Sequence, residues 1–174
     1  GMVILLISGL FMAPFVGEIS AQMKRMQGVP SALRYAQISA NTANTMFFYL
    51  PAILFLAIAY RPERSIEITY TLHDMAWILA VIPWGPAFIA NIVIAIAIFC
   101  DQSAQPVFPR WLAYLNIWVA LAFIPGALLA FFKSGPLAWS GILVFWLAGS
   151  VFVIWFIAMT AQLLKAIKRQ EASE

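Results

Sequence analysis

Apolar residues in this chain fall into five long runs that are separated by short polar stretches. The central run, Met75–Cys100, holds twenty-six residues without a charge, whereas about twenty apolar residues are enough to cross the hydrocarbon core of a bilayer. The pattern predicts five transmembrane helices, at about residues 1–23, 31–60, 74–100, 111–132 and 139–164. Because the connections are short, consecutive helices should be antiparallel neighbours. The expected fold class is all-α, an integral membrane helical bundle that forms a single domain over residues 1–174.

Composition excludes an ordinary soluble domain. Hydrophobic residues make up 64% of the chain and charged residues only 10%, against about 25% charged residues in soluble proteins. The lipid bilayer is therefore the expected partner, and the small net charge of +3 predicts no binding to nucleic acid. The single cysteine, Cys100, excludes an intramolecular disulfide and a cysteine-rich metal site. No motif predicts a cofactor or a metal.

The distribution of basic residues predicts the orientation of the bundle. In the five-helix arrangement, seven lysines and arginines fall on one side of the membrane and three on the other. The seven are Lys24, Arg25, Arg34, Arg110, Lys165, Lys168 and Arg169, and the three are Arg61, Arg64 and Lys133. Because basic residues are retained in the cytoplasm, the C-terminus is expected there.

Three prolines lie at similar depths within the predicted helices. Pro51, Pro83 and Pro125 each fall about 10–14 Å below the surface opposite the C-terminus, at 1.5 Å of rise per residue. Each proline removes a backbone donor and frees the carbonyl four residues before it. Irregular backbone at this depth should face protein or a wet cavity. Two interpretations remain open: kinks that only shape the packing, and a shared cavity or hinge in this half of the membrane.

Polar side chains form a second pattern, towards the cytoplasmic half. The asparagines Asn41, Asn44, Asn91 and Asn116 fall on three predicted helices, and Glu18 lies near the end of the first. Since an unpaired amide in hydrocarbon costs several kcal/mol, we expect these groups to face inward and to bond to one another. They are either interhelical hydrogen-bonding groups or the lining of a ligand-binding pocket open to the cytoplasm, with Glu18 as its ionisable member.

His73 and Asp74 are the remaining candidates for chemistry. They close the charged stretch 61–74, which the pattern predicts to be a loop. A histidine beside a carboxylate can serve as an oriented base or as part of a metal site. However, the chain contains one histidine, so it cannot supply a multi-histidine metal site alone. The alternative is a network of interfacial ion pairs, with Asp74 as the N-cap of the third helix.

Three segments resemble an uncharacterised family of small bacterial multi-pass membrane proteins: YRPERSIEITYTLHDMAWIL, QPVFPRWLAYLNIWVALAFIPG and FFKSGPLAWSGIL. The resemblance covers roughly residues 60–174 and implies the inner (cytoplasmic) membrane of a bacterium. It also implies a further helix upstream of Gly1, which agrees with a sequence that becomes apolar at once, without a basic signal-peptide region. The family supplies no assigned activity, so no catalytic residue is carried over.

The leading functional hypothesis is a non-enzymatic membrane protein. It would bind a small apolar or amphipathic ligand between kinked helices, or serve as an accessory subunit of a membrane assembly. The alternative is a small membrane enzyme for a lipid-soluble substrate, with Glu18, His73 or Asp74 as acid or base. A further alternative is a channel or carrier formed by a homo-oligomer, since Gly9, Gly141 and Gly149 permit close helix contacts.

Overall fold

The computed structural model describes residues 2–81 and 84–172, and within these ranges it is helical and contains no strand. Six α-helices follow one another: α1 (Met2–Lys24), α2 (Ser31–Tyr60), α3 (Ile66–Val81), α4 (Trp84–Cys100), α5 (Arg110–Phe123) and α6 (Ala148–Glu171). Two 3₁₀ segments, Ile124–Ala130 and Gly135–Leu137, and one π-helix, Ile142–Leu147, lie between α5 and α6.

Five helical stretches are long and apolar enough to cross a membrane. They are Val3–Lys24, Ser31–Tyr60, Ile66–Cys100, Arg110–Ala130 and Gly135–Glu171, with residues 82 and 83 of the third outside the described part. The sequence prediction of an all-α bundle with five membrane-spanning helices is therefore confirmed. Large apolar side chains such as Ile4, Phe11 and Trp118 are exposed on its surface, as expected where lipid is the solvent.

The bundle has two unlike ends. One end of the bundle contains the last residues of α1, α4 and α6 and the first residues of α2 and α5. We call it the basic end, because it carries the seven lysines and arginines that the orientation prediction uses. The other end is called the opposite end. Helix α2 is central, since it packs against α1, α3 and α4, whereas α5 packs against α4 and α6.

The third span begins earlier than the sequence predicted. Helix α3 begins at Ile66, eight residues before the expected start at Asp74, so the predicted loop 61–74 is helical over its second half. The charged side chains of this stretch predicted a loop. However, a helix that extends beyond the hydrocarbon tolerates exposed charge such as that of Glu67. Asp74 lies inside α3 and is not its N-cap, so that prediction is wrong. Pro83 lies outside the described residues.

The fourth span changes helical type at its proline. Pro125 has no N–H with which to reach the carbonyl of Leu121, and that carbonyl instead accepts a bond from the N–H of Ile124. The chain continues as the 3₁₀ segment Ile124–Ala130. Proline therefore tightens the helix here and leaves no buried carbonyl unpaired at Leu121.

Tight packing is concentrated towards the basic end. The largest fully buried apolar side chains are Ile19, Met23, Ile94, Phe108, Leu112 and Met159, and they come from α1, α4, α5, α6 and the 101–109 loop. In contrast, α3 buries only Ala76 among its described residues. The opposite half of the bundle is therefore packed more loosely, and it is there that a cavity forms.

Asp101 ties together the loops at the basic end. Its carboxylate accepts hydrogen bonds from the backbone N–H groups of Val107 (2.9 Å), Ser103 (3.0 Å) and Gln27 (3.3 Å), and from the Ser103 hydroxyl. Gly28, beside Gln27, has a φ of +77°, a conformation that side chains disfavour. Burial raises the pKa of Asp101, but the hydrogen bonds from Ser103, Val107 and Gln27 outweigh it and hold that pKa below its ordinary value.

Candidate functional site

A cavity of about 940 Å³ lies between the two sides of the bundle. Helices α1 to α4 form one wall, and the π-helix with the first part of α6 forms the other, while Phe123 contributes from α5. On α2 the lining extends from Asn41 to Phe55, which is about 21 Å at 1.5 Å per residue. The cavity thus runs from mid-bundle towards the opposite end, and no charged side chain is among its lining residues.

Aromatic rings form much of the cavity wall. At the opposite end, the Trp77 ring stacks on Trp139 with centroids 5.3 Å apart and meets Phe55 and Phe145 edge-on, each at 5.4 Å. Rigid rings of this kind hold a space open because they have few rotamers and pack against one another.

A second aromatic group lines the deeper part of the cavity. Phe152 packs against Trp155, with centroids 5.9 Å apart, and against Phe48, with centroids 6.4 Å apart. Phe15 of α1 meets Trp155 edge-on at 6.0 Å. These contacts join α1 and α2 to α6 below the cavity.

Small residues leave room on the α6 side. Ala148, Gly149 and Ser150 line the cavity directly after the π-helix Ile142–Leu147. A Cβ built on Gly149 meets no heavy atom within 4 Å. Because π-helical turns are often found at functional sites, this stretch is the part of the wall most suited to admit a ligand.

Three of the four asparagines that the sequence singled out line this cavity: Asn41, Asn44 and Asn91. Asn41 and Asn91 are only 7% and 5% exposed. The Nδ2 of Asn91 donates to the carbonyl of Ala87 at 2.8 Å, which leaves its Oδ1 free. Asn91 Oδ1 and Asn41 Nδ2 are two of the four buried side-chain atoms that have no hydrogen-bond partner among the described residues; the others are Gln37 Oε1 and Thr160 Oγ1.

Asn116 has a different environment. Its side chain is fully buried, donates to the Leu112 carbonyl at 2.7 Å and accepts a 2.9 Å bond from Trp155 Nε1. It is not among the residues that line the cavity. The expected hydrogen bonds between asparagines are absent from the described part of the chain; Asn116 instead links α5 to α6.

Glu18 lies away from the cavity, towards the basic end. It is partly buried and accepts a 2.7 Å bond from Gln22 Nε2, while Gln22 Oε1 accepts one from Arg25, also at 2.7 Å. Arg25 and Gln22 in turn reach Gln170 of α6, at 3.2 and 3.4 Å. This polar chain joins the ends of α1 and α6, and Glu18 does not line the cavity.

His73 and Asp74 lie at the opposite end. Their closest nitrogen and oxygen atoms are 4.0 Å apart, and both side chains are partly exposed to solvent. Nε2 of His73 accepts a 2.9 Å bond from Trp77 Nε1, so this nitrogen is already engaged by a neighbouring side chain. Helix directions place Glu18 and His73 near opposite ends of the bundle, so the structure does not join the three candidate catalytic residues.

The structure offers no ready metal site among the residues it describes, where no three His, Cys, Asp or Glu side chains come together. The cavity is thus the feature that stands out from ordinary helix packing, and two of the four buried polar atoms without a partner belong to residues that line it. Comparison with protein-family models, with curated proteins and with solved structures finds no match for this chain.

Proposed function

We propose that this chain is a non-enzymatic multi-pass membrane protein that binds one small apolar or amphipathic molecule in the cavity. The observation that carries the proposal is the cavity of about 940 Å³, lined by aromatic and aliphatic side chains with a few amides. Sites for small molecules usually measure about 300–1,000 Å³ and combine an apolar lining with a few polar groups.

Ligand binding accounts for the contrast between the two halves of the bundle. Close packing is the rule in protein interiors, and the basic half follows it, with side chains such as Ile94 and Leu112 fully buried. The cavity in the other half is held open by rings such as Trp77 and Phe152. A space that is maintained by rigid side chains is better suited to binding than to packing alone.

The proposal places the protein in the inner membrane of a bacterium, with its C-terminus in the cytoplasm. Seven lysines and arginines at the basic end against three at the opposite end support this orientation. The cavity would then lie in the outer half of the membrane, within reach of molecules that enter from the lipid.

The enzyme alternative receives less support from the geometry. Glu18 is hydrogen-bonded to Gln22, and His73 Nε2 is occupied by Trp77. Neither residue lines the cavity. An acid or base that acts on a bound substrate must come within hydrogen-bond reach of it, which favours binding over catalysis.

The test is to purify the protein from its native membrane and to identify the small molecules that accompany it by mass spectrometry. A Gly149→Phe variant adds a ring at a residue that lines the cavity and where a Cβ meets no neighbour. A matched control is Gly17→Phe, because a Cβ at Gly17 also meets nothing and Gly17 is exposed outside the cavity.

We expect a defined small molecule with the unaltered protein and with Gly17→Phe, and its loss with Gly149→Phe. If the same molecules accompany all three proteins in equal amounts, the cavity is not the binding site. Co-purification of another membrane protein in place of a small molecule would favour the accessory-subunit alternative.

A further inference from the structure

We infer that the cavity selects an uncharged amphiphile with a single hydroxyl head group, which Asn41 and Asn91 bind, and with an apolar chain directed towards the opposite end. The inference rests on the proposed function, because it assumes that the cavity holds a ligand. It adds the chemical class of that ligand and the residues that recognise it.

The starting observation is the pair of unsatisfied amide atoms. Four buried side-chain atoms lack a hydrogen-bond partner among the described residues: Gln37 Oε1, Asn41 Nδ2, Asn91 Oδ1 and Thr160 Oγ1. Of these four residues, Asn41 and Asn91 line the cavity. A buried polar group left unpaired costs about 1–3 kcal/mol, so buried groups without partners are rare in folded proteins. Two in one cavity point to a ligand that supplies both partners.

The two asparagines lie at the same level of the bundle. Asn41 is ten residues into α2 from the basic end, and Asn91 is nine residues before the end of α4. At 1.5 Å per residue, the two depths are about 15 and 14 Å. Helices α2 and α4 pack directly against each other and both asparagines line the cavity, so we place the head group at this level.

The types of atom define the head group. Asn41 offers a donor and Asn91 offers an acceptor, and a hydroxyl group both accepts and donates. A ketone or ester carbonyl satisfies Asn41 alone, and an ammonium group satisfies Asn91 alone. An ionised carboxylate lacks a donor, and among the lining residues no cation is present to balance it. An alcohol fits both atoms without the cost of burying a charge.

The rest of the cavity fits an apolar chain. Above the asparagine level the lining residues are mainly apolar and aromatic, up to Phe55 and Trp77. The length of about 21 Å along α2 accommodates an extended hydrocarbon or isoprenoid chain.

The cavity carries its own reporters for a binding experiment. Four of the seven tryptophans, Trp77, Trp84, Trp146 and Trp155, line it. Bromine atoms on a chain quench tryptophan fluorescence on contact. The protein in saturated-phosphatidylcholine nanodiscs is therefore titrated with dibromohexadecanol. Separate titrations use the matched dibrominated alkane, carboxylate, primary ammonium salt and phosphatidylcholine.

We expect dibromohexadecanol to quench at about a tenfold lower mole fraction than the alkane, the effect of two hydrogen bonds in a membrane interior. Asn41→Leu and Asn91→Leu should each weaken binding of the alcohol about threefold and leave the alkane unchanged. Asn116→Leu is the matched control, because Asn116 is a buried asparagine that does not line the cavity. It should leave the preference for the alcohol intact.

Other results separate failure of the inference from failure of the proposed function. Equal quenching by alcohol and alkane, abolished by Gly149→Phe, overturns the inference and leaves a binding cavity. Tighter binding of the carboxylate or the primary ammonium salt, or equal quenching by the brominated phospholipid, overturns it in the same way. Because exposed tryptophans such as Trp118 meet lipid in any case, the part of the quenching that Gly149→Phe removes is the part that reports the cavity. If that variant changes no titration, the proposed function fails and the inference with it. The preference of the unaltered protein for the alcohol over the alkane is measured without any variant. A variant that misfolds therefore does not prevent the test of the inference.

Discussion

The hydrogen bond between Asn116 and Trp155 offers a quantitative test of how α5 is held against α6. Both side chains are buried, at 0% and 5% exposure, and Trp155 Nε1 lies 2.9 Å from Asn116 Oδ1. The perturbation is Asn116→Leu, which replaces the amide by an apolar group of similar size. The Nε1–H of Trp155 then stays buried without a partner.

The expected magnitude follows from the environment of the bond. An unpaired buried donor costs about 1–3 kcal/mol in water-soluble proteins. In a membrane the unfolded reference state also finds partners, and measured couplings between helices average about 0.6 kcal/mol with a maximum near 1.7. Because this pair is almost completely buried, we expect a coupling free energy in the upper part of that range, about 1–1.5 kcal/mol.

A double-mutant cycle measures the coupling. The free energy of unfolding in mixed micelles is determined for the unaltered protein, for Asn116→Leu, for Trp155→Phe and for the double variant. Each single variant loses the hydrogen bond between Asn116 and Trp155. The cycle therefore separates the free energy of that bond from the free energy of packing Trp155 against Phe15 and Phe152. A coupling indistinguishable from zero would refute the assignment of Asn116 to helix packing.

Two other changes test the loops. Asp101→Asn should lower the free energy of unfolding by about 1 kcal/mol at pH 7. The pKa of Asp101 is depressed in the folded state. The stabilisation that the ionised carboxylate provides is therefore present above about pH 4 and declines as the pH falls through the folded pKa. Thermal unfolding in detergent from pH 7 to 3 checks this, and a difference that widens on acidification contradicts it. Gly141→Ala places a Cβ 2.3 Å from the Pro136 carbonyl oxygen and should cost about 1–3 kcal/mol, whereas Gly17→Ala should be nearly neutral; equal unfolding midpoints contradict the close approach.

Hydropathy predicts the number of spans because bilayer thickness fixes the length of an apolar helix. Helix α2 has the expected bounds, Ser31–Tyr60. The ends of α3 and α6 differ from the expected ones, since helices continue past the hydrocarbon where charged side chains are solvated. Glu67 in the first turn of α3 and Arg169 in the last turn of α6 are two such residues.

The site itself was only partly visible in the sequence. Asparagines in apolar helices signalled polar groups in the interior, and Asn41, Asn44 and Asn91 do line one cavity. The sequence does not distinguish them from Asn116, because that depends on which asparagine meets a partner such as Trp155. The expected pocket open to the basic end, with Glu18 in it, is not the one found; Glu18 bonds to Gln22 instead.

Two further features were missed. The open space beside Gly149 lies directly after the π-helix Ile142–Leu147. The spacing of apolar residues does not distinguish a π-helix from an α-helix, so the sequence did not predict it. The loop bonds of Asp101 had a recognisable signal, since an Asp followed two residues later by Ser is typical of a turn in which the carboxylate accepts backbone N–H groups.

Photolabelling shows most directly whether an apolar molecule occupies the cavity. The protein in native membranes is exposed to a diazirine-bearing alkane without a polar head, irradiated and digested, and the labelled residues are identified by mass spectrometry. We predict labels on cavity-lining residues such as Phe48, Val144 and Phe152, and their loss in Gly149→Phe. Labels confined to exposed side chains such as Ile154 and Ile157, unchanged in that variant, would show that the chain meets lipid only at its surface.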